Sequence, residues 1–426
     1  MNIKYMWNKF TAIYNLLFNI LKRIIMKQEK IYKSIKYRIF PTDEQKQILN
    51  MWFGSVRWSW NYLHNLVFNS NYVNEAKNAT TTRTLRDQIR RNGPEWIGTG
   101  SKFVNSTIVE NIAEDFAVAY RKYSKNVRKL FKDNKLEDSD KYKPKLKTKR
   151  SKNFSCALNR KNNVSFKIID GKMNINTTRY LKRQTFYTKK NIAIDPLLIK
   201  RICFTYQNGK YYMGIIYENQ VYKKPYKPGS KIAIDLGIKT SAVCYDGNSF
   251  KEELLPEKIE KLYNKHKKVC SKYSKAKNDS KNKSKLLKKF NKTYQRAICC
   301  RNDWQNKLVD NLAKSYETII VDKMPFTLKK TLNNVNRKKM TIAPFRFLER
   351  LIFKSKEYGN NVYTIKPGTP TTQTCSNCGN VKKDKDRLKL KDRTYECSCC
   401  GFKEDRDRNS ALFIYKYGEQ YSIQKE

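Results

Sequence analysis

The first half of the chain mixes two hydrophobic periods. Residues 31–40 alternate apolar and basic positions, which is typical of a half-exposed strand. The alternation returns over residues 154–220, around the turn pairs Asp170-Gly171 and Asn208-Gly209. Residues 41–135 instead carry apolar side chains at helical spacing. This pattern predicts a small β-barrel that is interrupted by a helical insertion.

The insertion has recognisable helix signals. Thr42 and Gln45 have the spacing of a capping box, so a helix is expected to begin after Thr42. The apolar run resumes after Gly54, which predicts a second helix and therefore a helical hairpin. Another helix is expected over residues 106–131, with a basic far end.

The second half has the pattern of a different domain. Residues 223–230 have the composition of a linker, and buried-type strands then end in acids at Asp235 and Asp322. Basic helical stretches separate these strands, and a third strand is expected over residues 361–365. Strands that alternate with helices predict an α/β domain with a mainly parallel sheet.

The charge indicates the class of partner. Ninety Lys and Arg against 38 Asp and Glu give a net charge of +52, which predicts a long polyanion such as nucleic acid. Residues 143–150 form a cationic loop suited to phosphate contact, and the long helical stretch is also lysine-rich. The candidate nucleic-acid-binding residues are Arg57, Lys145, Lys147, Lys149, Arg150, Lys285, Lys288 and Lys289.

Cysteine usage indicates a zinc site and a reducing compartment. Two Cys-x-x-Cys pairs, Cys375/Cys378 and Cys397/Cys400, predict a four-thiolate structural zinc site, with Cys399 as a spectator. The other cysteines are scattered and do not resemble a secreted disulfide framework. This cysteine usage predicts an intracellular protein. No continuous apolar span approaches about 18 residues, so we expect no membrane partner. Residues 1–30 are interpreted as an amphipathic leader.

Three acids stand where a catalytic centre would form. Asp235 and Asp322 end predicted strands, and Asp407 follows the second cysteine pair. Because the carboxyl ends of strands in an open α/β sheet meet at one edge, these acids can converge and bind two Mg²⁺ ions. Asp405 is the alternative to Asp407, and each acid can also be a helix cap or a surface residue.

Four ordered motifs resemble one protein family. Ile234-Asp235-Leu-Gly237, Val321-Asp322, Thr371 to Gly379 and Cys397 to Asn409 resemble the split RuvC nuclease of TnpB proteins, the transposon-encoded, RNA-guided nucleases. The family is related to compact type V CRISPR effectors and includes the viral and eukaryotic Fanzor proteins.

The resemblance implies a multidomain α+β and α/β fold with a RuvC-like (RNase H-like) nuclease. It also implies a guide RNA, a double-stranded DNA target, and cytoplasmic or, in a eukaryotic or viral setting, nuclear or replication-compartment localisation. The expected organisation is a leader at 1–30, a wedge-like β-barrel at 31–40 and 136–222, a helical recognition lobe at 41–135, a linker at 223–230, the nuclease at 231–374 and 401–416, a zinc ribbon at 375–400 and a tail at 417–426.

The second acidic motif departs from the family pattern. The family has a glutamate followed by an aspartate, where this chain has Asp322 and Lys323. Asp322 is one methylene shorter but still offers a carboxylate, and Glu349 or Glu357 on the preceding helix is the alternative. The sequence therefore predicts a Mg²⁺-dependent RNA-guided DNA endonuclease. The alternatives are a guide-dependent DNA-binding protein with little cleavage, and a zinc-ribbon nucleic-acid-binding protein.

Overall fold

A computed structural model of the chain describes residues 31–70, 72, 79–97, 104–134, 136–149, 153–160, 165–176, 183–219, 224–322, 333–389 and 392–425. It divides into two compact units, Met1–Asn219 and Gln220–Glu426. The predicted leader lies outside the described residues. None of the described helices has the length and hydropathy needed to cross a membrane. All eleven cysteines are free thiols.

The described part of the first unit contains three long helices and seven strands. In chain order they are β1 (Ile31–Ile39), α1 (Asp43–Phe68), α2 (Thr82–Asn92), α3 (Ser106–Lys132), β2 (Asn153–Asn159), β3 (Ser165–Ile169), β4 (Lys172–Asn176), β5 (Gln184–Phe186), β6 (Ile199–Gln207) and β7 (Lys210–Asn219). The strands form two antiparallel sheets, one in the order β1-β7-β6-β2 and one in the order β3-β4-β5. The predicted hairpins are thus confirmed, while the closed barrel stays a prediction.

The predicted break at Gly54 is wrong, because α1 is one continuous helix of 26 residues. It begins with the expected capping box, in which Thr42 and Gln45 each bond the other's backbone N–H group. A glycine inside a helix costs about 1 kcal/mol, but the buried face continues past it from Trp52 to Leu63. Burial of that face outweighs the local cost of the glycine.

One hydrophobic core joins the helices and both sheets of the first unit. Trp52 of α1 lies 5.8 Å from Phe204 of β6, and Phe204 lies 4.8 Å from Phe186 of β5, measured between ring centroids. All three side chains are fully buried. The helical insertion is therefore packed on the strands of its unit and shares their core.

The described part of the second unit contains eight strands and five helices. In chain order they are β8 (Lys227–Asp235), β9 (Ala242–Tyr245), β10 (Phe250–Glu253), α4 (Glu257–Lys275), α5 (Lys281–Ser315), β11 (Tyr316–Asp322), α6 (Asn333–Ile342), α7 (Pro344–Tyr358), β12 (Asn361–Ile365), β13 (Thr394–Glu396), β14 (Lys403–Asp405), α8 (Arg406–Tyr417) and β15 (Ser422–Lys425). Six strands form one sheet in the order β10-β9-β8-β11-β12-β15, and β13 pairs with β14.

The six-stranded sheet is mixed, so the prediction of a mainly parallel sheet is wrong. Only β8, β11 and β12 are mutually parallel, and the pairs β10–β9, β9–β8 and β12–β15 are antiparallel. The three central strands are buried on both faces and have a clear apolar run. β9, β10 and β15 have only four residues each, and β10 and β15 are largely polar, which leaves too few alternations for a period to be recognised.

Two predicted boundaries also change. The predicted linker at 223–230 includes the first residues of β8, where Lys227 pairs with Tyr316 and a bulge at the positive-φ Gly229 restores the register. The predicted tail at 417–426 contains β15, which adds to the edge of the sheet beside β12. Pro228 and Gly229 led to the linker prediction, but Pro and Gly are also common at strand starts and bulges.

Candidate functional site

Asp235, Asp322 and Asp407 lie together at one edge of the six-stranded sheet. Asp235 ends β8, Asp322 ends the neighbouring parallel strand β11, and the two residues are direct partners in the strand register. Neighbouring strands lie about 4.8 Å apart, so these two carboxylates leave the sheet side by side. Asp407 lies in the first turn of α8, which packs against β8. The predicted convergence of the three acids therefore agrees with their positions in the structure.

The environment of Asp235 opposes its negative charge. The side chain is buried, and burial raises the pKa of its carboxyl well above the ordinary range. Asp322 and then Asp407 raise this pKa further by like-charge repulsion. The charged form of Asp235 is therefore unfavourable in this position, and a bound cation would relieve that cost.

Asp405 and Asp407 make different contacts in the structure. Asp405 is the N-cap of α8, and its carboxylate accepts hydrogen bonds from the backbone N–H groups of Asp407 (2.8 Å) and Arg408 (3.3 Å). The sequence left open that each acid is a helix cap, and Asp405 is one. The structure therefore assigns the cap to Asp405 and leaves the Asp407 carboxylate beside Asp235.

Two arginines hold the Asp407 carboxylate. The Arg406 guanidinium donates to Oδ1 at 2.9 and 3.1 Å, and Arg393 lies 3.3 Å from Oδ2. Arg406 also donates to the carbonyl of Asp392, so it is anchored to the loop before β13. Neither arginine stood out in the sequence, although Arg406 is adjacent to Asp407. Their contacts depend on the hairpin that β13 and β14 form.

Thr371 also contributes to the site, in a role that its sequence motif did not specify. Its buried hydroxyl donates to Oδ2 of Asp322 at 2.5 Å. Thr371 belongs to the segment that enters the first cysteine pair, so this segment touches the second acid directly. The hydroxyl fixes the orientation of a carboxylate that is one methylene shorter than the glutamate of the family pattern.

The alternative acids Glu349 and Glu357 make their contacts elsewhere. Glu349 is exposed on α7 and pairs with Arg346 at 2.9 Å. Glu357 is buried and pairs with Lys354 at 3.2 Å, within a cluster that includes Asp310. Neither glutamate contributes to the electrostatic environment of Asp235, whose like-charge neighbours are Asp322 and Asp407. The structure thus offers no support for the substitution of Asp322 by a glutamate from α7.

Cys375, Cys378, Cys397 and Cys400 bring four sulfur atoms within 4.8 Å of one another. The Cys375–Cys400 and Cys378–Cys397 sulfur pairs are 3.7 and 3.6 Å apart. A tetrahedral zinc ion with Zn–S bonds of about 2.3 Å needs sulfurs about 3.8 Å apart, so the cluster has the size and chemistry of a structural zinc site. Cys399 stays outside the cluster, as predicted.

The two cysteine turns repeat one backbone design. In each, the first cysteine's carbonyl accepts from the N–H of a glycine four residues on, Gly379 or Gly401, at 3.0 Å. Both glycines have positive φ, +76° and +68°, which side chains rarely adopt. The Cys-x-x-Cys-Gly pattern therefore favours the turn of a zinc knuckle through local backbone geometry. The ribbon hairpin extends to Asp405, beyond the predicted end at residue 400.

The candidate nucleic-acid-binding residues fall into two groups. Lys285, Lys288 and Lys289 are exposed on α5, and within the described part of the chain they have no ion-pair partner. In the first unit, Arg57 is half-buried on α1, Lys145 and Lys149 are exposed, and Arg150 lies outside the described residues.

Lys147 differs from the other candidates. Its ammonium lies 4.6 Å from the Trp60 ring centroid, and burial lowers its pKa. Asn61 holds the backbone of Lys147 with two hydrogen bonds of 2.9 Å, one in each direction. Trp60 donates to the carbonyl of Lys145. The cationic loop is therefore fixed on α1, with Lys147 as a packing residue and Lys145 and Lys149 facing solvent.

Three family models match consecutive parts of the chain. A helix-turn-helix domain model matches residues 26–66, the model described as "Probable transposase" matches residues 214–327, and the model of the Cas12f1-like TNB domain matches residues 345–414. The last two contain all three acids and the four zinc-site cysteines. The described residues of the first match form a strand and a continuous helix in this structure.

Similar proteins match over most of the chain. TnpB-like protein L79 of Acanthamoeba polyphaga mimivirus is 26% identical over 90% of this chain and 73% of its own length. A protein of Streptomyces pristinaespiralis, named "Putative RNA-guided DNA endonuclease", is 22% identical over 92% of this chain and 90% of its own length. A second mimivirus protein, TnpB-like protein L770, matches a shorter part. It is 33% identical over 148 residues, which are 33% of this chain and 27% of that protein. These matches follow the chain in order and support a TnpB-type family that is related to the type V CRISPR effectors.

Proposed function

We propose that this protein is a transposon-associated, RNA-guided DNA endonuclease with a RuvC-like active site. The observation that carries the proposal is the placement of Asp235 and Asp322 on adjacent strand ends beside Asp407 of α8. The name of the Streptomyces relative supports the same activity. The net charge of +52 supports two nucleic-acid partners, a guide RNA and a DNA target that base pairing selects.

The acid cluster offers the kind of ligand atom that Mg²⁺ prefers. Mg²⁺ prefers oxygen ligands, usually one or two carboxylates together with substrate phosphate oxygens. Burial, and then Asp322 and Asp407, raise the pKa of the Asp235 carboxyl, and a bound cation would offset these causes. Two bound Mg²⁺ ions would supply Lewis-acid stabilisation of the attacking and leaving oxygens of a phosphodiester.

The chain's own residues would hold and orient this site. Asp235, Asp322 and Asp407 provide the ligand oxygens, Thr371 orients Asp322, and Arg406 fixes one oxygen of Asp407. Zinc bound by the four cysteines would be structural, since four thiolates leave no open coordination position for substrate or water. This division separates a structural metal from a catalytic one.

Copurification with RNA followed by a cleavage assay tests the proposal. The protein is expressed together with the flanking sequence of its genetic element, and bound RNA is sequenced. DNA that matches the guide is then incubated with the complex and Mg²⁺, with mismatched DNA as the control. Mg²⁺-dependent cleavage of matched DNA alone is the expected result, and no bound RNA with no cleavage would contradict it. Matched binding without cleavage would favour a guide-dependent DNA-binding protein, for which the shorter Asp322 is the supporting observation.

The exposed lysines of α5 are expected to contribute to phosphate binding. Each phosphate-contacting lysine accounts for about one unit of the slope of log Kobs against log salt concentration. Replacing Lys285, Lys288 and Lys289 together with alanine should therefore reduce that slope by about 2 to 3 units, measured by RNA binding across a salt series.

Ion-paired lysines of α4 and α5 provide the matched control for this triple variant. Lys261, Lys307 and Lys314 lie within 2.9 Å of Glu257, Asp303 and Asp310, respectively. Their charges are already compensated, so replacing these three should change the slope by less than about 1 unit. Equal slopes for the two triple variants would rule out the assignment of Lys285, Lys288 and Lys289.

A further inference from the structure

Asn409 connects the first zinc knuckle to the helix that carries Asp407. Its side chain is completely buried in the first part of α8. The amide nitrogen donates to the carbonyl of Thr374 at 2.9 Å, and the amide oxygen accepts from the N–H of Ser376 at 3.0 Å. Thr374 and Ser376 flank Cys375, so one side chain holds the peptide groups on both sides of a zinc ligand.

This contact requires a primary amide. A donor and an acceptor are needed on one short side chain, and only asparagine offers both at this length. Aspartate would bring a second oxygen and a charge against the Thr374 carbonyl. Alanine would leave two buried backbone groups without these partners, which is unfavourable away from water. Asparagine is a poor residue for a helix by propensity, so the tertiary contact explains its presence on α8.

The position of Asn409 on α8 relates its contact with the knuckle to the direction of Asp407. Successive residues of an α-helix are separated by about 100°, so Asn409 and Asp407 point about 200° apart. Asn409 therefore faces the knuckle from nearly the opposite side of α8 to Asp407, which contributes to the environment of Asp235. Rotation of α8 about its axis would move both residues together, and it would break the two hydrogen bonds of Asn409.

A second contact strengthens the same connection further along the helix. Lys416 of α8 donates to the carbonyl of Ser376 at 3.0 Å. The knuckle is thus attached to α8 near both ends of the helix. Asn409 lies two residues from Asp407, whereas Lys416 lies more than two helical turns away. Of the two contacts with the knuckle, Asn409 is therefore the one in the turn of α8 next to the acid.

We propose that Asn409 is a positioning residue that transmits the geometry of the zinc knuckle to the acid cluster. It sets the rotation of α8 and thereby places Asp407 beside Asp235. The inference rests on the proposed endonuclease function for its effect on catalysis. It makes the zinc ribbon part of the active-site framework, because a displaced Cys375 would displace the helix that presents the third acid.

The test uses Asn409→Ala in the full-length protein with its copurified RNA. Loss of an outer contact to metal-binding residues typically costs 10- to 100-fold in metal affinity or activity. The variant is expected to lose about 10- to 100-fold in kcat with little change in KM, because the Asn409 side chain is completely buried and does not itself reach nucleic acid. Zinc content should stay at that of the wild type, since all four cysteines remain.

Two further measurements do not depend on cleavage. Hydrogen exchange at the Ser376 amide should be faster in Asn409→Ala, because that N–H group loses its partner. Mg²⁺ should raise the melting temperature of the wild type, because it binds the folded acid cluster, and this increase should be smaller in the variant. Failure of the wild type to cleave would contradict the proposed function, whereas unchanged exchange and an unchanged Mg²⁺ effect would contradict the role of Asn409.

Asn360→Ala is the matched control. Asn360 also donates from its side chain to two backbone carbonyls of the second unit, those of Ala313 (2.8 Å) and Tyr316 (2.5 Å). It is expected to lower stability in the same way while the Mg²⁺ effect and kcat stay at wild-type values. If Asn360→Ala reduces kcat and the Mg²⁺ effect as much as Asn409→Ala, the loss is general destabilisation and the proposal is wrong.

Discussion

Replacing Asp235 with asparagine is expected to abolish DNA cleavage and, when divalent cations are absent, to raise the melting temperature. Both effects have one origin. Burial, together with Asp322 and Asp407, raises the pKa of the Asp235 carboxyl and makes its charge unfavourable until cations join the cluster. Asparagine removes that charge, which stabilises the cation-free fold. It also removes a charged ligand oxygen, which is expected to lower kcat by at least about 10³-fold.

The gain in stability should depend on pH. A carboxyl whose pKa is raised in the folded state stabilises the fold below its unfolded pKa, near the ordinary value of 3.8, and this contribution is lost as the pH rises through the folded pKa. Asparagine has no such transition. The difference in melting temperature between Asp235→Asn and the wild type should therefore be small near pH 4 and grow toward pH 8, to about 2 °C or more.

Calorimetry in EDTA across this pH range, together with a Mg²⁺ cleavage assay, checks both parts. Asp246→Asn is the matched control, because the Asp246 carboxylate accepts N–H hydrogen bonds from Ser249 and Asn248 that lower its pKa. That substitution should leave cleavage unchanged and should not raise the melting temperature. Cleavage by Asp235→Asn at the wild-type rate would contradict the assignment of Asp235.

The parts of the site that sequence patterns predicted are those that local chemistry encodes. Asp235 and Asp322 end apolar runs, and strands of that kind bring their ends to one sheet edge. The knuckles repeat a Cys-x-x-Cys-Gly pattern in which each glycine fits a positive φ. In such cases the sequence within a few residues already contains the physical reason for the structure.

The parts that sequence patterns missed depend on distant contacts. Thr371 and Asn409 stand in motifs that carry the family resemblance, but their contacts form only when the ribbon folds beside Asp322 and α8. Gly54 carries a local helix-breaking tendency that the buried face of α1 overrides. β15 is short and polar, and only its pairing with β12 defines it as a strand. Tertiary packing decides each of these, and no short window of residues includes the partner.

Replacing Cys378 with serine is expected to reduce zinc content and to destabilise the second unit. Serine is a poor zinc ligand, so three thiolates would remain where a closed structural site needs four. Loss of a metal site belongs to the few changes that exceed about 4 kcal/mol. Zinc per chain by mass spectrometry and urea unfolding measure these effects, and Cys399→Ser, at the cysteine outside the cluster, should match the wild type in both.

The cleavage rate of Cys378→Ser should fall together with its zinc content. The first zinc knuckle is hydrogen-bonded to Asn409, and Asn409 lies on the helix that carries Asp407. An undefined knuckle leaves Thr374 and Ser376 without fixed positions, and α8 then loses the contact that orients Asp407. The order of the defects separates the causes: Cys378→Ser should lose zinc and activity together, whereas Asn409→Ala should lose activity and keep zinc. A Cys378→Ser protein with full zinc content and full activity would show that the ribbon is independent of the acid cluster. Full activity in zinc-depleted protein would show that Asp407 is positioned by Arg406 and the sheet alone.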